Sequence, residues 1–318
     1  MSQEIQELMS DKKQEGVILK STGKNYTIQV DGGQQILGII KGKWRLKGLR
    51  TTNPLAAGDH VVFLIDSHNK AIITDLIPRK NHIVRRSINL SKAAHILASN
   101  VDQAIIIVTP DKPMTSYGFI DRFLVAAESY HIPAIIVINK IDLEGVDTKV
   151  EEIMMTYALI DYPVLMVSAE KETNLEEFKK LLTKKVSALA GHSGVGKSTL
   201  INKIEPELNL HTREISEYHQ MGQHTTTFAE MHPLSKGGYI IDTPGIKGFG
   251  VIGIEKEELA LYFPEMAARL PKCKYYNCTH INEPHCAVKE AVEEGDIPET
   301  RYNSYLNMFN EDENQSYR

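Results

Sequence analysis

The stretch G-H-S-G-V-G-K-S, residues 191–198, has the glycine, lysine and serine spacing of a loop that cradles nucleotide phosphates. It follows the apolar V-S-A-L-A and opens K-S-T-L-I-N-K-I, so a strand delivers the chain to the loop and a helix receives it. Around it, Gly191, His192, Ser193, Gly194, Val195, Gly196, Lys197, Ser198 and Thr199 are the expected phosphate-lining residues, their main-chain amides aided by the helix N-terminus. Lys197 is placed to bridge the β- and γ-phosphates, and the Ser198 hydroxyl to ligate Mg²⁺. Upstream, N-K-I-D supplies Asn139, Lys140 and Asp142 at the end of an apolar run. A carboxylate there accepts hydrogen bonds from N1–H and the exocyclic amine of guanine, an arrangement adenine lacks, and such pairing discriminates by roughly 10⁴–10⁵. Ser168 and Ala169 close the next apolar run, where a main-chain N–H meets the guanine carbonyl oxygen. GTP and GDP are therefore the expected ligands, rather than ATP.

Downstream, D-T-P-G places Asp242 for Mg²⁺ through water and the Gly245 N–H for the γ-phosphate. Between this motif and the phosphate loop lies H-T-T-T, where Thr226, with Thr225 as the alternative, is expected to complete the Mg²⁺ shell. Many GTPases orient the attacking water with a glutamine after D-x-x-G, but here Ile246 follows. His224 is the internal substitute, because a neutral imidazole can orient or deprotonate water; His192 is the weaker alternative. The three cysteines, Cys273, Cys278 and Cys286, fall within one segment together with His280 and His285. Three thiols and an imidazole suit a closed tetrahedral Zn²⁺ site, structural rather than catalytic, with His280 favoured over His285 as fourth ligand. Such a metal supplies on the order of 10 kcal/mol to a small module.

The elements that must carry these residues change along the chain. Residues 15–80 read as five short strands separated by T-G-K-N, D-G-G-Q, N-P-L-A-A-G-D and S-H-N, with Tyr26, Ile28 and Val30 alternating, which predicts an OB-fold β-barrel. From 81 to 250, continuous apolar runs such as D-Q-A-I-I-I-V-T and P-A-I-I-V-I-N alternate with helical spacing, the pattern of an α/β domain on a parallel sheet. Residues 251–318 read as a helical zinc-binding domain, and 1–14 as a polar flexible N-terminus. The fold class expected is thus multidomain α/β. Its nucleotide loops come in a permuted order, base recognition first, then the phosphate loop, then the two switches. The second switch leads directly into the metal-binding segment, so phosphate state can be coupled to what that segment touches.

With 318 residues and net charge −5, the chain is expected to be a cytoplasmic protein, and no apolar run approaches the roughly 18–20 residues of a membrane span. The acidic balance argues against a surface that coats nucleic acid, but K-G-K-W-R-L-K-G-L-R is locally basic. Lys41, Lys43, Trp44, Arg45 and Lys47 are the candidate RNA contacts, between the third and fourth strands of the barrel.

The combination of a small barrel, N-K-I-D ahead of G-H-S-G-V-G-K-S, H-T-T-T, D-T-P-G and C-x4-C-x-H-x5-C closely resembles the RsgA/YjeQ family, circularly permuted GTPases dependent on the small ribosomal subunit. The resemblance spans roughly residues 15–310. It implies an OB domain, a permuted GTPase domain and a C-terminal zinc domain. It also implies binding to the 30S subunit and 16S rRNA during late maturation, alongside other assembly factors, by a monomer whose slow GTPase activity the subunit stimulates. The family's catalytic histidine falls on His224, and its zinc ligands on Cys273, Cys278, His280 and Cys286. Gln223 departs from the arginine common before that histidine. A GTP-gated binding protein acting away from the ribosome is the alternative, and N-K-I-D disfavours a metabolic kinase.

Overall fold

The structure, a computed structural model, describes residues 13–40, 53–86, 94–209, 229–242 and 254–311. Lys41, Lys43, Trp44, Arg45, Lys47, Gln223, His224, Thr225, Thr226, Gly245 and Ile246 lie outside the described residues, as does the side chain of Asp242.

The described chain forms two compact bodies, drawn from residues 1–102, 182–189 and 216–248 and from residues 103–181, 190–215 and 249–318. In the first, β1 (Gln14–Ser21), β2 (Asn25–Gln29) and β3 (Gln35–Ile40) form an antiparallel meander. β3 then pairs in parallel with β5 (Ala71–Leu76), β5 antiparallel with β4 (His60–Ile65), and β4 antiparallel with β1, which closes a five-stranded barrel. Closure removes the unpaired edges that five strands of this length would otherwise expose. The alternation read in the sequence points Tyr26 and Ile28 inward, where they pack with Ile18, Leu55, Val61, Phe63 and Ile73.

A feature absent from the expected strand set follows the barrel: a hairpin of β6 (His82–Arg86) and β7 (Ala94–Ser99). Its attachment is polar. Arg79 grips Asp59 through two 2.6 Å hydrogen bonds, and the Ser99 hydroxyl donates to the same carboxylate. The first body also holds β11 (Val186–Ala190) as far as Leu189, parallel to β13 (Tyr239–Asp242), with β12 (Glu230–Pro233) antiparallel to β13.

The second body is built on three parallel strands, β8 (Gln103–Val108), β9 (Ala134–Ile138) and β10 (Val164–Met166). Every residue of β8 and β9 is buried, as continuous apolar runs require of strands covered on both faces. The intervening helices are α1 (Tyr117–Ser129), α2 (Asp147–Ala158), α3 (Leu175–Leu182) and α4 (Lys197–Ile204). Ser116 caps α1, its hydroxyl accepting from the Phe119 N–H.

The last segment contributes short helices α5 (Pro264–Ala267) and α6 (Ala287–Glu293) and the longer α7 (Glu299–Asn310). Their core of Phe263, Met266, Val288, Ile297 and Tyr305 includes Val125 of α1. Beside it Arg301 of α7 is fully buried, donating to Asp121 of α1 at 2.9 Å and to Glu265 of α5 at 2.8 Å, with its guanidinium 4.2 Å from the Phe263 ring centroid. Tyr157 of α2 donates to the same Asp121 oxygen at 2.9 Å. No helix among the described residues is long and apolar enough to cross a membrane.

Candidate guanine nucleotide site and metal centre

Three strand ends of the chain carry the nucleotide motifs, and one side chain ties them together. Asn139, buried at the end of β9, donates from Nδ2 to the Val195 carbonyl of the phosphate loop at 2.8 Å. Its Oδ1 accepts from the Ala169 N–H at 3.2 Å. Thus N-K-I-D, V-S-A and G-H-S-G-V-G-K-S meet at a single amide. The Ala169 N–H, expected to face a guanine carbonyl, is here committed to Asn139 by a bond at the long end of the usual range.

Asp142 is exposed, as a base reader must be, and its Oδ1 accepts from the Ser168 hydroxyl at 2.5 Å. Ser168 Oγ in turn accepts from the Lys171 N–H, so the second base loop orients the carboxylate of the first. Lys140 stands at φ 64 and reaches the Lys112 carbonyl at 2.5 Å.

The phosphate loop needs its glycines for space as well as conformation. Gly196, the N-cap of α4, has φ 90, and a Cβ there would come within 2.5 Å of Asn139 Nδ2. At Gly191, φ 147, a Cβ would meet the Ile107 carbonyl at 2.5 Å. Lys197 Nζ donates to the Gly191 carbonyl at 2.5 Å, folding its stem across the loop. The first-turn amides of α4 have no helical carbonyl to bond, which suits them to an anion. His192, counted among the phosphate-lining residues, directs its ring elsewhere: Nε2 lies 2.8 Å from Thr115 Oγ1, and its ring meets Phe119 edge-on.

In the C-terminal segment, Cys273, Cys278, His280 and Cys286 bring their ligand atoms within 4.8 Å of one another. His280 Nδ1 is 3.3 Å from Cys286 Sγ and 3.7 Å from Cys273 Sγ. A tetrahedral ion with metal–sulfur distances of ~2.3 Å and metal–nitrogen of ~2.0 Å sets its ligands about 3.5–3.8 Å apart, close to the spacing of His280 Nδ1 from the Cys286 and Cys273 sulfurs. His285, the alternative ligand, is exposed and stands apart from the cluster. Burial pushes the Cys278 thiol up to about 12 and lowers His280, directions that disfavour thiolate and imidazolium alike, so a cation held by these four residues would supply the charge that stabilises thiolates. His280 Nε2 is buried with no hydrogen-bond partner among the described residues, leaving Nδ1 as the nitrogen aimed at the sulfurs. The main chain of this loop is fixed from α7: Tyr302 donates to the His280 carbonyl and Tyr305 to the Thr279 carbonyl, both at 2.6 Å.

Sequence reading missed the part played by Glu283. Burial would raise its carboxyl, but hydrogen bonds from the Thr279 N–H and hydroxyl and from the Ile281 N–H hold it down to about 2. The signal available was a glutamate three residues from two ligands, which spacing alone does not distinguish from surface. Because the folded carboxyl titrates below its ordinary 4.5, its stabilisation is complete above pH 4.5 and is lost as pH falls towards 2. Glu283→Gln is therefore expected to cost about 1–2 kcal/mol at pH 7, after allowance for solvent at this half-buried group. In denaturant titrations, the gap between wild type and variant should close progressively below pH 4.5.

Comparison with known proteins places this arrangement. A family model described as RsgA GTPase matches residues 76–252. A protein of Phocaeicola vulgatus named small ribosomal subunit biogenesis GTPase RsgA is 50% identical over 305 residues, covering 95% of this chain and 98% of its own. The chain belongs to the RsgA GTPase family. A second RsgA relative, from Bacteroides thetaiotaomicron, matches to the same extent, 50% over 305 residues. Among solved structures, YjeQ from Thermotoga maritima aligns with TM-score 0.77 at 35% identity, over 94% of this chain and 98% of that one. YloQ, described as a circularly permuted GTPase, aligns with TM-score 0.73 at 28% identity over 94% of each chain. The permuted order of loops is thus a property of the fold, and membership in the RsgA family makes the protein a guanine-nucleotide-binding GTP hydrolase.

Proposed function

We propose that this chain hydrolyses GTP on the small ribosomal subunit, binding 16S rRNA and coupling hydrolysis to late subunit maturation or to release of other assembly factors. The observation that carries the nucleotide part is the double hydrogen bonding of Asn139, which makes base recognition and phosphate binding one rigid unit. The ribosomal part rests on 50% identity, over 95% of the chain, to a protein named for small-subunit biogenesis. Asp142 reads the guanine edge, and Asn139 and Lys140 brace the loops around it. Ser168 orients Asp142, and the Ala169 amide shares its hydrogen between Asn139 and the base carbonyl. Residues 191–199 hold the phosphates, with Lys197 as the mobile cation and the Gly245 amide sensing the γ-phosphate. Ser198, Thr226 and Asp242 would hold Mg²⁺, which would supply positive charge against the phosphates; His224 orients the attacking water. Cys273, Cys278, His280 and Cys286 hold one structural Zn²⁺. Residues 15–80 form the OB domain, 81–250 the permuted GTPase domain and 251–318 the zinc domain, working as a cytoplasmic monomer. Lys41, Lys43, Trp44, Arg45 and Lys47 supply RNA contacts.

The deciding measurement is GTP turnover by the purified protein with and without mature 30S subunits. Subunits are expected to raise turnover at least tenfold, and His224→Ala to abolish that rise while GTP binding stays intact. A rate indifferent to subunits sinks the ribosomal reading, and a His224→Ala protein that still responds reassigns the water-orienting group.

A further inference from the structure

The segment joining β8 to α1, residues 109–116, runs beside the phosphate loop and belongs to none of the nucleotide motifs. Its Thr115 is buried and sits within a continuous hydrogen-bond chain. The Thr109 N–H donates to Thr115 Oγ1 at 3.0 Å, which leaves the hydroxyl proton for His192 Nε2 at 2.8 Å. His192 Nδ1 then donates to the Ser193 carbonyl at 3.2 Å. A neutral imidazole protonated on Nδ1 satisfies every donor and acceptor in this chain. The ring is held from a second side by Phe119, centroids 5.4 Å apart and planes at 79°. The same segment abuts the loop again further on, where a Cβ at Gly194 would lie 3.3 Å from Pro113 Cδ. It also takes the Lys140 ammonium on the Lys112 carbonyl.

This matters because the phosphate loop is otherwise costly to order. Gly191, Gly194 and Gly196 all have positive φ, and glycine surrenders more conformational freedom on ordering than any other residue. A loop ordered only when nucleotide arrives charges that entropy against affinity; one ordered beforehand does not. We propose that Thr115, acting through His192, is a positioning residue that holds the phosphate loop in its nucleotide-binding shape before nucleotide arrives. Its anchor is firm, since α1 is fixed one and a half turns further along by the buried Asp121–Arg301 contact. The role falls on ground-state binding, common to GDP and GTP. Its loss therefore raises Kd and KM and leaves kcat at saturating GTP within about twofold.

The inference rests on the assignment of residues 191–199 to the phosphates, and the experiment separates the two. A fluorescent GDP analogue is titrated into the full chain, wild type and variants, alongside steady-state GTP turnover. Thr115→Val, which keeps the shape and removes the hydroxyl, is expected to weaken GDP binding about tenfold, and Thr115→Ser to restore it. His192→Phe, which keeps the ring against Phe119, should weaken binding by a similar factor. The double variant Thr115→Val with His192→Phe should be no weaker than the worse single one, because both remove one contact. GDP affinity within twofold of wild type in Thr115→Val, no recovery in Thr115→Ser, or fully additive losses overturns the positioning role alone. A wild-type protein that does not bind GDP overturns the phosphate assignment, and the positioning role with it.

Discussion

Asp142→Asn is expected to turn a guanine site into a xanthine site. The carboxylate accepts twice from guanine, at N1–H and at the 2-amino group. An asparagine still accepts from N1–H but presents an NH₂ to the 2-amino group, donor against donor. In xanthine a carbonyl replaces that amine, and the pairing becomes complementary again. GTP affinity should fall by about a thousandfold or more, within the range that unpaired polar groups impose on such sites, while XTP gains what GTP loses. The protein itself should barely notice. Asp142 is exposed, so its replacement belongs with surface changes of about 0.5 kcal/mol or less, and Ser168 can donate to an amide oxygen as it does to a carboxylate. Competition of GDP, XDP and ADP against a fluorescent guanine nucleotide gives the result directly. Unchanged guanine preference would remove Asp142 as the base reader.

The second large effect is on stability. Arg301→Met is expected to destabilise the body that holds the nucleotide loops by about 3–5 kcal/mol, since it strands two carboxylates in a buried site. Burial disfavours a charged guanidinium, but Glu265 and Asp121 outweigh it and hold Arg301 above its ordinary range; burial also pushes the Asp121 carboxyl up. Among the described residues, Asp121 Oδ2, Glu265 Oε2 and Arg301 Nη2 are buried without hydrogen-bond partners. The melting temperature should drop by about 10 °C. Replacing all three charges together, Asp121→Asn, Glu265→Gln and Arg301→Met, should recover much of the loss, because no charge is then left unpaired. A triple variant no more stable than Arg301→Met would mean that lost packing on Phe263, rather than stranded charge, is the cost.

What could be read from the sequence was whatever is encoded by near neighbours. Lys197 and Ser198 follow the glycines of their own loop, and the Cys273, Cys278, His280 and Cys286 ligands lie within one short segment, so spacing alone exposes them. The barrel was equally legible, since period-2 alternation at Tyr26 and Ile28 is a local property and the five strands fall where turn residues predict. Arg301 was invisible, because its partners Asp121 and Glu265 are 180 and 36 residues away and nothing near it marks it as buried. The β6–β7 hairpin was missed because Arg85, Arg86 and His95 interrupt any apolar pattern there. His192 was assigned to phosphate from its place in the motif. Its orientation is set by Thr115, which belongs to another stretch of chain. The commitment of the Ala169 amide to Asn139 was not anticipated, since the two residues lie in separate motifs.

The pairing of α7 with α1 also bears on how the chain reaches this state. Contact between Asp121 and Arg301 closes a loop of 180 residues, and that closure must be made before either charge is neutralised. Native contacts so distant in sequence slow folding, so the docking of α7 is expected to be a late step. Tyr302 and Tyr305 ride on that same helix and grip the His280 and Thr279 carbonyls, so the cysteine loop gains these two contacts only when α7 docks. One late helix thus completes two distant parts of the molecule in a single event, and a chain interrupted before it would carry every ligand and every nucleotide motif yet assemble neither part fully.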